Sequence, residues 1–312
     1  MTSSIALWRD ARGRLSALRI ATLALLLWPI LLAVTAWQTE IRFSARPIND
    51  LIHRAGFWML MFVLVSLAVT PLRRIARYGA LVDVRRMIGV GAFCYGAAHL
   101  SLYILDQMFD LEHVAGEIVY RVYLTIGFTA LLGLAVLAAT STDGMTRALG
   151  GLRWRRWHQL VYVIGVLGLV HFFQQTKLDE SIPTLVSGVF VWLMGYRLFA
   201  WFWKGPGELP TWLLAVLAVV AAALTFAGEA IGFGIMFDVS PLEVLRRTAF
   251  VFDLDNPDMI RPGWYVLTGG LAICVLDLVC ARLRARRPRK ARPAPAPSAP
   301  APARSPAARE SV

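Results

Sequence analysis

Charged residues are scarce in this sequence. Asp, Glu, Lys and Arg make up 17% of its 312 residues, whereas about a quarter of an average soluble domain is charged. Hydrophobic residues account for 57%, and the mean hydropathy is +0.58. The composition therefore argues against a soluble globular domain and against a disordered chain, and it favours a polytopic membrane protein.

Cysteine is scarce as well. The three cysteines, Cys94, Cys274 and Cys280, all lie inside apolar runs, and no two of them form a CxxC motif. The sequence thus offers neither a disulfide framework nor a cysteine metal site, and buried small hydrophobic side chains are the simpler interpretation. It also has no HExxH motif, which argues against zinc and di-iron chemistry.

Apolar runs of roughly 20 residues are abundant, and an α-helix of this length crosses about 30 Å of hydrocarbon. The first run follows four arginines, and its 18 residues favour a retained helix over a cleaved signal peptide. We predict an all-α fold, a polytopic transmembrane helix bundle with about eight spans. The predicted spans are residues 20–37, 51–70, 87–105, 118–138, 157–174, 183–203, 211–229 and 263–281.

Lys and Arg are distributed unevenly between the two sets of connecting segments. If the N-terminus is cytoplasmic, 23 of the 32 lie on the cytoplasmic side and 6 on the outer side. The positive-inside rule therefore predicts that both termini are cytoplasmic, and the net charge of +12 marks topology rather than a nucleic-acid partner. The basic, Pro/Ala-rich segment 282–312 is predicted to be a disordered tail on anionic lipid headgroups, with docking of a soluble partner as the alternative.

Two of the five histidines, His99 and His171, stand inside apolar runs. An ionisable residue there is costly and is a functional candidate, although a neutral imidazole can also serve as a hydrogen-bonding link between helices. His99 lies 13 residues beyond Arg86, and His171 lies 13 residues beyond His158, in two spans that both run outward. The two rings are therefore expected at one depth, where imidazoles from separate helices can ligate a haem iron from both sides.

The roles of the other histidines are less defined. His158 lies at the inner edge of its span, near the level of Arg85 and Arg86. It could bind a second haem, a quinone or a flavin, or it could be an interfacial histidine. The two arginines could serve orientation alone or hold haem propionates or a flavin phosphate, because guanidinium pairs bidentately with such anions. We expect His113 to be solvated and His53 to be interfacial.

Four stretches of the sequence resemble one membrane-protein family, the haem-binding subunits (MsrQ or YedZ) of periplasmic methionine sulfoxide reductase systems. This family belongs to the ferric-reductase-like transmembrane superfamily, and the resemblance covers about residues 45–203. The stretches are GFWMLMFVLVSLAVTPLRR at 56–74, VRRMIGVGAFCYGAAHLSLY at 84–103, the ATS turn at 139–141 and RWRRWHQLVYVIGVLGLVHFF at 153–173.

The resemblance implies a six-helix b-type cytochrome in the bacterial inner membrane. His99 and His171 would be the axial haem ligands and His158 the third functional histidine, and some members carry FMN. Electrons would come from the quinol pool or a flavin reductase and pass to a periplasmic molybdopterin-containing enzyme that repairs oxidised methionine in proteins. The protein would then be an electron-transfer subunit rather than the catalytic one.

The family pattern does not account for the whole chain. We expect an N-terminal basic segment with the first helix at 1–44, the haem-binding core at 45–203, a two-helix extension with an outer loop at 204–281, and the tail at 282–312. No GxGxxG sequence stands in a strand–turn–helix context, so the electron donor must be a separate protein or molecule.

Two other functions compete with this one. The first is a ferric or other metal reductase, or a cytochrome b subunit for another periplasmic oxidoreductase. The second is a transporter or lipid-binding scaffold, for which Glu229 and Asp277 are the candidate intramembrane carboxylates. Two carboxylates are too few for a convincing ion relay.

Overall fold

The computed structural model describes residues 8–9, 13–39, 46–176, 180–251 and 260–285. The described residues fold into α-helices joined by short connections, with one 3₁₀ turn at Gly79–Leu81. The helices are α1 (Ala17–Thr39), α2 (Pro47–Ile75), α3 (Val82–Asp106), α4 (Leu111–Tyr120), α5 (Val122–Ala139), α6 (Asp143–Leu149), α7 (Gly151–His158), α8 (Leu160–Gln175), α9 (Ser181–Phe202), α10 (Thr211–Phe237), α11 (Pro241–Thr248) and α12 (Pro262–Ala285).

Eight stretches of the described chain are helical, long and apolar enough to span a membrane, which confirms the predicted all-α polytopic bundle. The spans contain α1, α2, α3, α5, α7 with α8, α9, α10 and α12. Most of the tail predicted at 282–312 lies outside the described residues, and the division of the chain into four segments stays a prediction.

Two predicted boundaries are wrong. The predicted span 118–138 is broken at Arg121, whose backbone is extended (φ −103°, ψ 108°), so a short helix α4 precedes the span α5. Across the break the Thr125 hydroxyl donates to the Ile118 carbonyl at 2.6 Å, satisfying a group that the interrupted helix would leave unpaired. The loop predicted from residue 230 instead continues as helix α10 to Phe237, because its sequence stays apolar that far.

Helix α2 is the centre of the bundle. It packs along α3 as an antiparallel hairpin and also contacts α8, α9 and α12. Leu60, Phe62, Leu64 and Leu67 are all buried on it, which agrees with a helix that is apolar all round. A second antiparallel pair, α5 with α8, completes the part of the bundle that matters for the site.

A proline in α2 explains an arginine deep in α9. Pro71 has no N–H, so the Leu67 carbonyl one turn earlier loses its helical donor. Arg197 donates to that carbonyl at 2.6 Å and to the Leu193 carbonyl of its own helix at 2.7 Å, while its guanidinium lies 5.4 Å from the centre of the Tyr162 ring. The arginine thus ties α9 to α2 and α8 through a backbone group that the proline exposes.

The extension packs directly on the core. Helices α10 and α12 contact each other and α9, and a Cβ at Gly270 would overlap Ala218 at 2.5 Å, so their backbones are close. Asp277 is 7% exposed and accepts a hydrogen bond from Thr211 at 2.6 Å, with Arg77 of the α2–α3 connection at 3.8 Å. This carboxylate therefore joins the extension to the core.

Candidate functional site

A cavity of about 410 Å³ opens where α2 and α5 begin and α3 and α8 end. We refer to this end of the bundle as the cavity end. The opposite end, where α2 ends and α3 and α7 begin, is the arginine end, because Arg73, Arg74, Arg77, Arg85, Arg86, Arg153, Arg155 and Arg156 lie there. Both His99 and His171 line the cavity.

The two histidines, predicted at one depth, are close together. The centres of the His99 and His171 rings are 6.3 Å apart, and the ring planes are nearly perpendicular at 84°. A metal ion bound by two opposing imidazoles, with metal–nitrogen bonds of about 2 Å, separates the ring centres by roughly 6 Å. The observed spacing therefore suits one metal ion shared by both rings.

We refer to the two antiparallel helix pairs, α2 with α3 and α5 with α8, as the two hairpins. They hold their histidines in the same way. Nδ1 of His99 on α3 lies 2.8 Å from the Ile52 carbonyl of α2, and Nδ1 of His171 on α8 lies 2.8 Å from the Tyr123 carbonyl of α5. A carbonyl oxygen can only accept, so each Nδ1 carries the proton of a neutral ring. Nε2 is then the nitrogen that can bind a metal, and the carbonyl fixes the ring orientation, as second-shell partners of metal-bound histidines do.

A glycine follows each carbonyl by one helical turn and makes room for the ring. A Cβ at Gly56 would lie 3.0 Å from Nδ1 of His99, and a Cβ at Gly127 would lie 2.7 Å from Nδ1 of His171. Any other residue would push the ring out of place. The sequence pairs Ile52 with Gly56 and Tyr123 with Gly127 thus form two equivalent cradles, one on each hairpin.

Within the part of the chain that the structure describes, no third protein ligand accompanies the pair. The described residues contain no group of three or more His, Cys, Asp or Glu side chains placed to hold a metal. A metal ion held by two imidazoles needs its remaining ligands from another molecule, and a flat macrocycle supplies four in one plane. Deeper in the cavity the lining includes Leu60, Gly96, Leu131 and Gly168, which leave an apolar space between the hairpins.

His158 lies elsewhere. It is the last residue of α7 at the arginine end, and its ring stacks on Trp154 with centres 3.8 Å apart. Its Nδ1 lies 3.0 Å from the Trp154 carbonyl and its Nε2 lies 3.2 Å from the Ser141 hydroxyl, so both nitrogens have protein partners. Arg85 and Arg86 are close enough to act on His158 electrostatically.

The arginines predicted to contact a cofactor do not line the cavity of His99 and His171. Arg86 forms an exposed ion pair with Asp143, and this hydrogen bond and the arginine charge lower the pKa of that carboxyl. Arg85 is half-buried nearer to Tyr162 and Arg197. The structure thus separates the five predicted site residues into a cavity pair and an arginine-end trio.

Sequence reasoning missed two residues of the cavity lining. His53 and His113 both line it, at the side where it opens, together with Arg121. Both histidines are exposed, and both lie at the site. The sequence contained one indication for His53. It lies near the start of α2, at the end of the bundle where the span of His99 ends, so a similar depth could have been inferred.

Comparison with known proteins fits this arrangement. The family model "Ferric reductase like transmembrane component" matches residues 54–169. A protein-methionine-sulfoxide reductase heme-binding subunit MsrQ from Ralstonia nicotianae is 39% identical over 194 residues, 61% of this chain and 88% of the relative. The chain belongs to the MsrQ family. The MsrQ protein of Rhodospirillum rubrum is 41% identical over 191 residues, 61% of this chain and 89% of the relative.

The same matches show what is additional here. The MsrQ protein of Xanthomonas campestris pv. campestris strain 8004 is 39% identical over 190 residues, again 61% of this chain and 86% of the relative. Nearly whole MsrQ relatives therefore account for about three fifths of this protein, which is longer than they are. No solved structure is significantly similar to the chain.

Proposed function

We propose that this protein is a b-type cytochrome that carries electrons across the bacterial inner membrane to a periplasmic reductase that repairs methionine sulfoxide in proteins. One observation carries the proposal: two carbonyl-anchored imidazoles, 6.3 Å apart, line one cavity between two hairpins. The MsrQ relatives are named as heme-binding subunits, which supports the same cofactor.

His99 and His171 would hold one haem b by its iron. When bound, the haem would supply a reversible one-electron couple, and coordination by both His99 and His171 would favour electron transfer over oxygen chemistry. The hairpins keep the two rings in fixed positions through Ile52 and Tyr123, so little rearrangement accompanies a change of charge. The deeper part of the lining, which includes Leu60 and Leu131, would keep the surroundings of the two ligands apolar.

The positive-inside rule supports the orientation, with the arginine end facing the cytoplasm and the cavity end facing the periplasm. Electrons from quinol or a flavin reductase would enter in the inner half and leave at the cavity end, where the molybdopterin-containing partner docks. A second haem or FMN at His158 would have to replace the contacts of that ring with Trp154 and Ser141. One haem is therefore the proposed content.

The test is an absorption spectrum of the purified protein, reduced minus oxidised, with haem quantitation. We expect a low-spin haem spectrum at one haem per chain, and colourless protein would end the proposal. The match to a ferric-reductase-like component keeps one alternative, a ferric or other metal reductase. Stopped-flow reoxidation separates the two, because the proposed protein loses electrons rapidly to its reductase partner and slowly to a ferric chelate.

A further inference from the structure

Three basic side chains from three different elements line the opening of the cavity. His53 comes from α2, His113 from α4, and Arg121 from the break between α4 and α5. We call this part of the lining the cavity mouth. The arginines at the opposite end of the bundle do not reach the cavity. The basic groups that share the cavity with His99 and His171 are therefore at its mouth.

Two of these basic residues are close in sequence to the residues whose carbonyls bind His99 and His171. His53 follows Ile52, whose carbonyl holds His99, and it is close enough to act electrostatically on both rings. Arg121 precedes by two residues Tyr123, whose carbonyl holds His171. The same backbone segments that position the two imidazoles thus place a basic group on the mouth side of each.

Arg121 is held in place as a permanent cation. Its Nε lies 2.6 Å from the Glu117 carboxylate, and its NH1 donates to the Tyr123 hydroxyl at 3.3 Å. These two partners raise the pKa of the guanidinium, whose charge therefore persists at any physiological pH. An arginine has five N–H donors, so these contacts leave donors for a further anion.

The cavity also has a polarity gradient. The mouth carries His53, His113 and Arg121, whereas the deeper lining contains Leu60 and Leu131. The mouth also carries two carboxylates: Glu117 pairs with Arg121, and Asp106 accepts a hydrogen bond from the neutral Gln107 amide at 3.1 Å and keeps its charge. A flat ligand with an apolar body and carboxylates on one edge matches this gradient in one orientation.

We infer that Arg121 and His53, with His113, bind the two carboxylate side chains of the porphyrin, so that its carboxylate edge faces the cavity mouth. The inference rests on the proposed function. Charge-assisted hydrogen bonds from an arginine stabilise a carboxylate, and a histidine N–H can donate to it as well. All three side chains are exposed at the mouth, so solvent screens the charge of Arg121 and the gain per contact is modest. These residues are positioning residues, because they act on the ligand edge and not on the iron.

The test compares haem with its dimethyl ester, in which both carboxylates are blocked. Full-length apoprotein is titrated with each ligand, and binding is read from the low-spin absorption of the iron. We expect the wild type to prefer haem by about tenfold or more, the factor that one lost charge-assisted bond produces. The double variant His53→Gln, Arg121→Gln keeps only His113 of the three and should lose most of this preference.

A matched control is available in the next residue of α2. Arg54 lines a separate groove between α1, α2 and α3, so Arg54→Gln should keep the preference for haem. Low-spin binding of the ester by each variant demonstrates that its bundle is folded. The single variants, His53→Gln and Arg121→Gln, should each lose part of the preference, and the midpoint potential should become more negative when the Arg121 charge is removed.

Three results would overturn the inference. A preference that survives in the double variant and disappears in Arg85→Gln, Arg86→Gln would place the carboxylate edge toward the arginine end. Equal binding of both ligands by the wild type would mean that the protein does not bind the carboxylates. If the wild type binds neither ligand, the proposed function itself fails, so this outcome differs from failure of the carboxylate site alone.

Discussion

The two ends of the bundle use histidine in different ways. At the cavity end each ring gives one nitrogen to a backbone carbonyl and keeps the other for the cavity, as for His99 and His171. At the arginine end both nitrogens of His158 contact the protein, and its face is covered by Trp154. We therefore expect the protein partners of an imidazole, rather than its depth in a span, to decide whether it can accept a ligand.

The largest effect should come from removing a cavity histidine. His99→Ala or His171→Ala removes one of the two imidazoles that would hold the iron, and we expect haem content to fall by more than about 100-fold, above the cost of losing an outer-shell partner. Haem per chain, measured by the pyridine haemochrome assay, checks this. The control is Cys94→Ser, on the same helix but facing the groove beside α1. Normal haem content in either alanine variant would contradict the site.

The glycine cradles should rank next. In Gly127→Ala the new methyl would lie 2.7 Å from Nδ1 of His171. We expect haem occupancy to fall by roughly tenfold, because ligands must be held within about 0.5 Å of the productive geometry. Gly56→Ala should cost less, since its methyl would lie 3.0 Å from Nδ1 of His99. Haem titration of the apoproteins measures both.

The control for the cradles is Gly269→Ala in α12, where a Cβ would meet no atom within 4 Å. This variant should bind haem as the wild type does, with a small gain in stability from the better helix former. Equal loss of haem in all three glycine variants would show a general effect on the bundle. It would contradict the specific role of Gly56 and Gly127 in making room for the histidine rings.

The contact of the extension with the core should affect stability and leave the cofactor unchanged. Asp277→Asn removes the charge that faces Arg77 and can keep the bond from Thr211. We expect the free energy of unfolding to fall by about 1 kcal/mol or less, the contribution of an ion pair with a partly exposed arginine. Thermal unfolding in detergent, followed by tryptophan fluorescence, measures it. A changed haem spectrum would instead connect the extension to the site.

Much of the fold could be predicted from the sequence, because the length and hydropathy of each run decide whether it spans a membrane. The pairing of His99 with His171 could also be predicted, since equal distances from the basic span ends give equal depths. The cradles could not. They depend on which face of α2 meets α3 and which face of α5 meets α8, and apolar spans without a strong periodicity do not reveal their faces.

For the same reason, the sequence does not predict the residues of the cavity mouth or the contacts of Arg197. His113 reaches the cavity only because the chain breaks at Arg121 and α4 folds over the opening. The sequence predicts a continuous span there. The sequence also offers no way to see that a proline in α2 exposes the carbonyl that satisfies Arg197. Contacts between distant segments decide these features, and local patterns do not encode them.

The smallest effect on haem is expected at the arginine end. His158→Gln removes the stacking on Trp154 and can keep a hydrogen bond to Ser141, while the cavity pair is untouched. We therefore expect one haem per chain in both the variant and the wild type, with unchanged low-spin absorption. Haem quantitation and a redox titration with one component in each protein would agree with this. Two haems in the wild type and one in the variant would contradict the prediction. His158 would then bind a second haem in place of its contacts with Trp154 and Ser141, and the histidines at both ends of the bundle would be haem ligands.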